Sequence, residues 1–173
     1  MAPPPPSMSC RIAALFLKVL TFVCLLVSVI LLTTNKIEED IDFETIFKMR
    51  FNDIYGYRYL LATTVFGMAY TLLQIAFTLF SISTGNLIIS GDGSFTFDFY
   101  GDKVTSYQLA TGSAAAFAVT KELKRSEPIE GVEDSIDKFL NKGYACASLV
   151  LIGFVCTAML SVFSFNSLPK KCN

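Results

Sequence analysis

The chain has 173 residues, a formal net charge of −1 and a composition that is 53 % hydrophobic, with 16 Phe and no Trp. Its mean hydropathy is +0.52, and its apolar share is above that of a typical soluble domain. Because it also has no His, imidazole general-base chemistry and the commonest zinc ligand are excluded. We therefore expect no enzyme activity and no cofactor or metal. We also expect no nucleic-acid partner.

Four long apolar stretches dominate the chain, and they occupy residues 12–34, 59–82, 104–123 and 144–165. A bilayer core about 30 Å thick is crossed by about 20 helical residues, and each stretch reaches that length. A backbone in lipid must satisfy its own hydrogen bonds, which favours helices. We therefore predict an all-α membrane protein with one membrane domain over residues 12–166, built as a four-transmembrane-helix up-down bundle.

The tails and the first connection are polar. Residues 1–11 contain four consecutive prolines, which cannot continue a helix and predict a disordered tail, and residues 167–173 form a second short tail. The first connection, 35–57, is strongly acidic, with apolar residues at helical spacing. Two readings stay open for it: a short amphipathic helix lying against the bilayer, or a loop whose apolar residues pack down.

The other two connections carry different patterns. Residues 94–100 alternate Phe with polar residues, which predicts a short extended segment. Residues 124–143 carry charges of both signs, and the helical spacing of some of them allows part of this connection to extend the fourth span. The interpretation that we favour for these charges is a solvated face.

The third apolar stretch is rich in small residues. Two rows with a spacing of four residues run along it: Ala110, Ala114 and Ala118 in one, and Gly112 and Ala116 in the other. Close approach over small residues is a main source of helix association in lipid. The rows predict a tight contact surface, either inside the bundle or between two copies of the chain.

Charged residues at the span ends suggest two ion pairs. In an up-down bundle Arg11 and Asp102 stand on the same side of the membrane, where spans one and three begin, and Arg58 and Glu122 stand on the other side. Pairing at these interfaces is geometrically allowed, and desolvation would strengthen it. Lys18 is the only charge inside a predicted span apart from Lys121 and Glu122 at the end of the third, and we expect its ammonium to reach the membrane surface.

Two cysteines lie just outside the first and last spans. Cys10 and Cys172 are therefore candidate sites of S-palmitoylation.

The chain resembles the plant CASP-like proteins, which are relatives of the Casparian strip membrane domain proteins and belong with the MARVEL-type four-span proteins. The matching residues, in a specific order, are Leu-Thr-Thr-Asn-Lys at 32–36, Tyr-Arg-Tyr-Leu at 57–60, Tyr-Thr-Leu-Leu-Gln at 70–74, and Tyr-Gly-Asp-Lys at 100–103. The family's marked residues are an Arg in span one and an Asp in span three, which Arg11 and Asp102 match.

The resemblance implies a plasma-membrane protein with cytosolic N- and C-termini that forms homodimers and heterodimers with related four-span proteins. It also implies a non-enzymatic scaffold that organises membrane subdomains or recruits wall-modifying enzymes. The acidic first loop, and the lack of Trp and paired Cys in the last loop, indicate a general CASP-like member rather than a strip-forming one. The alternative function is a small channel or transporter accessory subunit.

One physical rule disagrees with the implied orientation. Nine Lys and Arg residues lie on the side of the first and last loops, against five on the side of the termini and the middle loop. Positive-inside counting alone would place the termini outside. We keep them cytosolic because the loop bases are interleaved with acids and because the resemblance is broad.

Overall fold

The chain folds into four long helices and one β-hairpin in a computed structural model that describes residues 8–42, 45–84, 93–125 and 133–166. The helices are α1 (Met8–Thr33), α2 (Tyr55–Thr84), α3 (Gly93–Arg125) and α4 (Glu133–Asn166). Each predicted span coincides with the greater part of one helix. Helix α1 already includes residues 8–11, which the sequence placed in the tail.

Three of the described helices contain stretches that are long and apolar enough to cross a membrane. These stretches are Ile12–Thr33, Tyr55–Phe80 and Glu133–Val162. Helix α3 is not among them, because Thr, Ser and Gln are interspersed with its small apolar residues. The nearly all-helical fold is thus established, with three candidate spans.

Each helix packs against two others, in the pairs α1 with α2, α2 with α3, α3 with α4, and α4 with α1. Leu25 of α1 and Leu109 of α3 are fully buried at the centre. Both face Gly67 of α2 and Gly153 of α4, and a Cβ at either glycine would lie 3.1 Å from a leucine methyl. The two glycines therefore let α2 and α4 approach the central leucines closely.

The outer surface of the bundle is apolar, which is the reverse of a soluble protein. Large side chains such as Phe16, Ile30, Phe66 and Val162 are more than half exposed. An apolar surface of this extent is unusual for a soluble monomer. It fits helices whose outer faces contact lipid.

The first connection forms a β-hairpin, with strands β1 (Lys36–Asp42) and β2 (Thr45–Arg50). Its antiparallel register places Lys36 opposite Arg50 and Glu38 opposite Lys48. The reading of this segment as an amphipathic helix is therefore wrong. The other reading, a loop whose apolar residues pack down, stays a prediction because those side chains lie outside the described part of the structure. Backbone pairing between the strands prevails over the helical spacing of a few apolar residues.

The predicted extended segment at 94–100 is also wrong, because α3 begins at Gly93 and runs through it. A period of two in the sequence therefore does not decide the conformation here, and the segment joins the helix that continues into the third apolar stretch. In the last connection, the extension of the fourth span is confirmed, since α4 begins at Glu133 and includes charged residues ahead of that span.

Candidate functional site

Polar side chains of α2 and α3 face each other inside the bundle. On α2, Tyr70, Gln74 and Thr78 follow one another at intervals of four residues, and on α3 Asp98 and Asp102 do the same. Residues four apart lie on one face of a helix. Because α2 packs on α3, these two rows meet.

Hydrogen bonds join the two rows. The Tyr70 hydroxyl donates to Oδ1 of Asp102 at 3.1 Å, and the Gln74 amide donates to the Tyr70 hydroxyl oxygen and to Oδ1 of Asp98 at 3.5 Å. Asp102 is only 1 % exposed, whereas Asp98 is half-buried. Within the described part of the chain, Oδ2 of Asp102 is buried without a hydrogen-bond partner.

Lys18 of α1 supplies a positive charge at this place. Its ammonium donates to Oγ1 of Thr78 at 3.2 Å, and the side chain is only 6 % exposed. Its charge interacts with the carboxylates of both Asp98 and Asp102. The Lys18 side chain therefore lies among polar groups of the bundle. That its ammonium reaches the membrane surface stays a prediction.

We call these six residues the polar cluster. Its members come from three helices: Lys18, Tyr70, Gln74, Thr78, Asp98 and Asp102.

A glycine lets α3 approach the cluster. A Cβ at Gly101 would clash with the hydroxyl and ring of Tyr70. Only a residue without a side chain leaves room for the Tyr70 ring beside Asp102. The cluster thus depends on both the charged residues and this close approach.

The predicted ion pairs stay predictions. The side chain of Arg11 lies outside the described part of the structure, so its pairing with Asp102 is open. Arg58 is exposed, and its guanidinium carbon lies 5.7 Å from the centroid of the Tyr55 ring. Its pairing with Glu122, which is also exposed, remains a prediction.

The two small-residue rows of α3 face different surroundings. Gly112 and Ala116 are buried, and a Cβ at Gly112 would clash with Oγ1 of Thr63 on α2. Ala114 and Ala118 are exposed, and Ala110 is half-buried. The row of Gly112 and Ala116 therefore packs inside the bundle, and most of the row of Ala110, Ala114 and Ala118 lies on its outer surface.

Hydrogen bonds also join the helices around the start of α2. The Tyr57 and Thr120 hydroxyls lie 2.8 Å apart, the Asn35 amide donates to the Phe139 carbonyl at 3.0 Å, and the Ser28 hydroxyl donates to the Cys146 carbonyl at 3.2 Å. These are neutral pairs, in contrast to the polar cluster.

The polar cluster could hold a charge or a proton. Among the described residues, no three His, Cys, Asp or Glu side chains are grouped so that they could hold a metal ion.

Cys10 lies near the start of α1 and Cys172 outside the described residues, so palmitoylation of either is still a prediction.

Sequence reasoning missed most of the polar cluster. The sequence patterns place Asp98 in a connection and Lys18 by itself, without a partner on another helix. The available signal was the spacing of four residues shared by Tyr70, Gln74 and Thr78. Such a polar row within an apolar span indicates a buried polar partner.

Comparison with known proteins identifies relatives over the whole chain. The chain is 57 % identical over 171 residues to CASP-like protein 4D1 of Ricinus communis, covering 99 % of each chain. It is 58 % identical to CASP-like protein 4D1 of Populus trichocarpa, covering 98 % of each. To CASP-like protein 4D2 of Arabidopsis thaliana it is 44 % identical, covering 99 % of each.

No solved structure matches the chain. The profile of the Casparian strip membrane protein domain matches residues 7–156, a range that includes the hairpin, α1 to α3 and most of α4. The resemblance recognised in the sequence is confirmed, and the chain belongs to the CASP-like family of membrane proteins.

Proposed function

We propose that this protein is a non-enzymatic four-span scaffold of the plasma membrane that assembles laterally with copies of itself and with related four-span proteins. In this arrangement α3 is the third span, neighbouring helices run in opposite directions, and both termini are cytosolic. Contacts between the first part of α1 and the last part of α2, such as that between Lys18 and Thr78, support the alternation. Wall-modifying enzymes are the partners that family membership suggests.

The observation that carries the proposal is the outer surface of α3. The other helices expose large apolar side chains such as Phe16, Phe66 and Ile152, which suit contact with lipid. The first part of α3 likewise exposes Tyr100, Val104 and Tyr107, whereas its middle exposes Thr111 and Ala114.

Small and weakly polar residues give little hydrophobic gain in lipid, but they let another helix approach closely. Ala114 and Ala118 are one helical turn apart, so both can contact the same partner helix. The Thr111 hydroxyl, which lies 3.1 Å from that of Tyr59, is a further group that can bond across such a contact. The outer surface of α3 therefore suits a protein neighbour better than lipid.

The test is to count copies of the full chain in lipid vesicles by single-molecule photobleaching. We expect complexes of two or more copies at low protein density. Changing Ala114→Leu and Ala118→Leu together should weaken self-association by about tenfold, which corresponds to about 1.4 kcal/mol. The matched control is Ile152→Leu, an exposed position on α4, which should leave association unchanged. Single copies of the unmutated chain at all densities would contradict the proposal.

A second candidate function is that of a small channel or a transporter accessory subunit, and the polar cluster favours it. Ionisable residues buried at membrane depth often mark ion or proton pathways. Ion flux measured on the same vesicles separates the two functions. The scaffold predicts flux no greater than that of empty vesicles, and a flux that Asp102→Asn abolishes would support the alternative.

A further inference from the structure

The charges of the polar cluster do not balance. Two carboxylates, Asp98 and Asp102, interact with one ammonium, that of Lys18. If all three are ionised, the cluster carries one uncompensated negative charge. A buried charge without a partner is far more costly than a buried neutral polar group.

Asp102 is the residue on which that charge is least stabilised. Its side chain is 1 % exposed, while Asp98 is half-buried and thus partly in contact with solvent. The hydroxyl proton of Tyr70 is directed to Oδ1 of Asp102. Oδ2 is buried and accepts no hydrogen bond from any described residue.

The other described side chains around Asp102 do not supply a second positive charge. Tyr70 and Gln74 of α2 are neutral, and Lys103, next to Asp102 on α3, is exposed, with its ammonium 5.8 Å from the centroid of the Phe99 ring. Among the described side chains in the last part of α4, the one titratable group is the buried thiol of Cys156. Lys18 is therefore the one cation that the described side chains bring to the cluster.

We propose that Asp102 is a proton-binding site, with Oδ2 taking one proton from water. The carboxylate and the proton form a neutral carboxylic acid, no other bond is made or broken, and the Lys18 ammonium then faces the single charge of Asp98. A proton fits better than a metal ion because it needs no shell of oxygen ligands. The cluster thus changes its net charge by one when the proton leaves.

The test is infrared spectroscopy of the full chain in lipid, with 13C-labelled aspartate used to identify carboxylic acid bands. We expect a protonated aspartate band at neutral pH that disappears on alkaline titration. It should be lost in Asp102→Asn and retained in Asp137→Asn, which removes an exposed carboxylate on α4. In Asp98→Asn it should disappear at a lower pH, because the Lys18 ammonium then faces Asp102 alone. In Lys18→Met it should persist to a pH higher by about one unit or more, because a nearby positive charge favours the carboxylate.

Three results would overturn the proposal. The unmutated chain could lack the band at neutral pH, and that measurement depends on no variant. The band could survive in Asp102→Asn. It could also be absent from the unmutated chain and present in Arg11→Leu, which would show that the Arg11 guanidinium neutralises Asp102 as an ion pair. The amide bands of the same spectra report whether each variant keeps its helices. If Asp102→Asn loses its helices, Asp102→Glu assigns the carboxylic acid band to position 102, because that change should shift the band without abolishing it.

Discussion

The hydroxyl of Tyr70 lies 3.1 Å from Oδ1 of Asp102 and joins α2 to α3 inside the bundle. Gln74 of α2 is a second side chain that interacts with this carboxyl. A buried acceptor that loses its donor costs more than an average hydrogen bond contributes. The polar cluster should therefore be sensitive to the loss of a single oxygen atom.

Tyr70→Phe tests this directly. It removes the donor to Asp102 and should lower the free energy of unfolding by about 1–3 kcal/mol. Tyr107→Phe removes the same atom from an exposed side chain on α3 and should change stability by less than about 0.5 kcal/mol. Denaturant unfolding in mild detergent measures both. Equal effects of the two changes would mean that the Tyr70–Asp102 bond does not stabilise the fold.

The buried lysine leads to a second prediction. Lys18→Met keeps the apolar stem but leaves the Asp98 carboxylate without its cation, and removing one partner of a buried charge group costs about 3 kcal/mol. Lys103→Met removes an exposed ammonium and should change stability by less than about 0.5 kcal/mol. Folded yield in membranes and unfolding in detergent are the two readouts. If Lys18→Met is as mild as Lys103→Met, the Lys18 ammonium is solvated rather than held by the polar cluster.

The two rows of α3 should respond differently to added volume. Gly112→Ala places a methyl group against Thr63, whose hydroxyl already donates to the Leu60 carbonyl at 2.9 Å. We expect a loss of stability of about 1–3 kcal/mol from overpacking. Ala114→Val adds two carbon atoms on the outer surface and should leave the unfolding of the single chain nearly unchanged. The opposite order of effects would show that the assignment of the rows is reversed.

The proposed orientation predicts the labelling of Cys172. In intact cells a membrane-impermeant thiol reagent should not reach it, and after permeabilisation it should react. Cys172→Ser identifies the signal, and Glu39→Cys in the hairpin is the matched control that should react in intact cells. Reaction of Cys172 without permeabilisation would reverse the orientation, in agreement with the positive-inside count.

The helices could be predicted from the sequence because the bilayer imposes one simple requirement. About 20 apolar residues in a row indicate a helix regardless of its neighbours. The hairpin at Lys36–Arg50 could not be predicted in this way, since its strands are stabilised by pairing with each other. A short strand with many charges carries no comparable local signal.

The polar cluster was only partly predictable for a related reason. Asp102 was recognised, but the sequence directed attention to Arg11, and the structure brings Lys18 to the carboxylates. Which cation reaches Asp102 depends on how far α1 is displaced along α2 and α3. Sequence spacing within one helix gives no information on such a displacement between helices.

Photo-crosslinking in native membranes tests the central claim, lateral assembly through the outer surface of α3, most directly. A benzophenone amino acid is placed at Ala114, or at Leu151 on α4 as an equally lipid-accessible control, since both side chains are exposed. The account predicts that irradiation yields a covalent dimer of the full chain from position 114, at several times the amount from position 151. Dimer formation that is equal at both positions, or found only at 151, would contradict it.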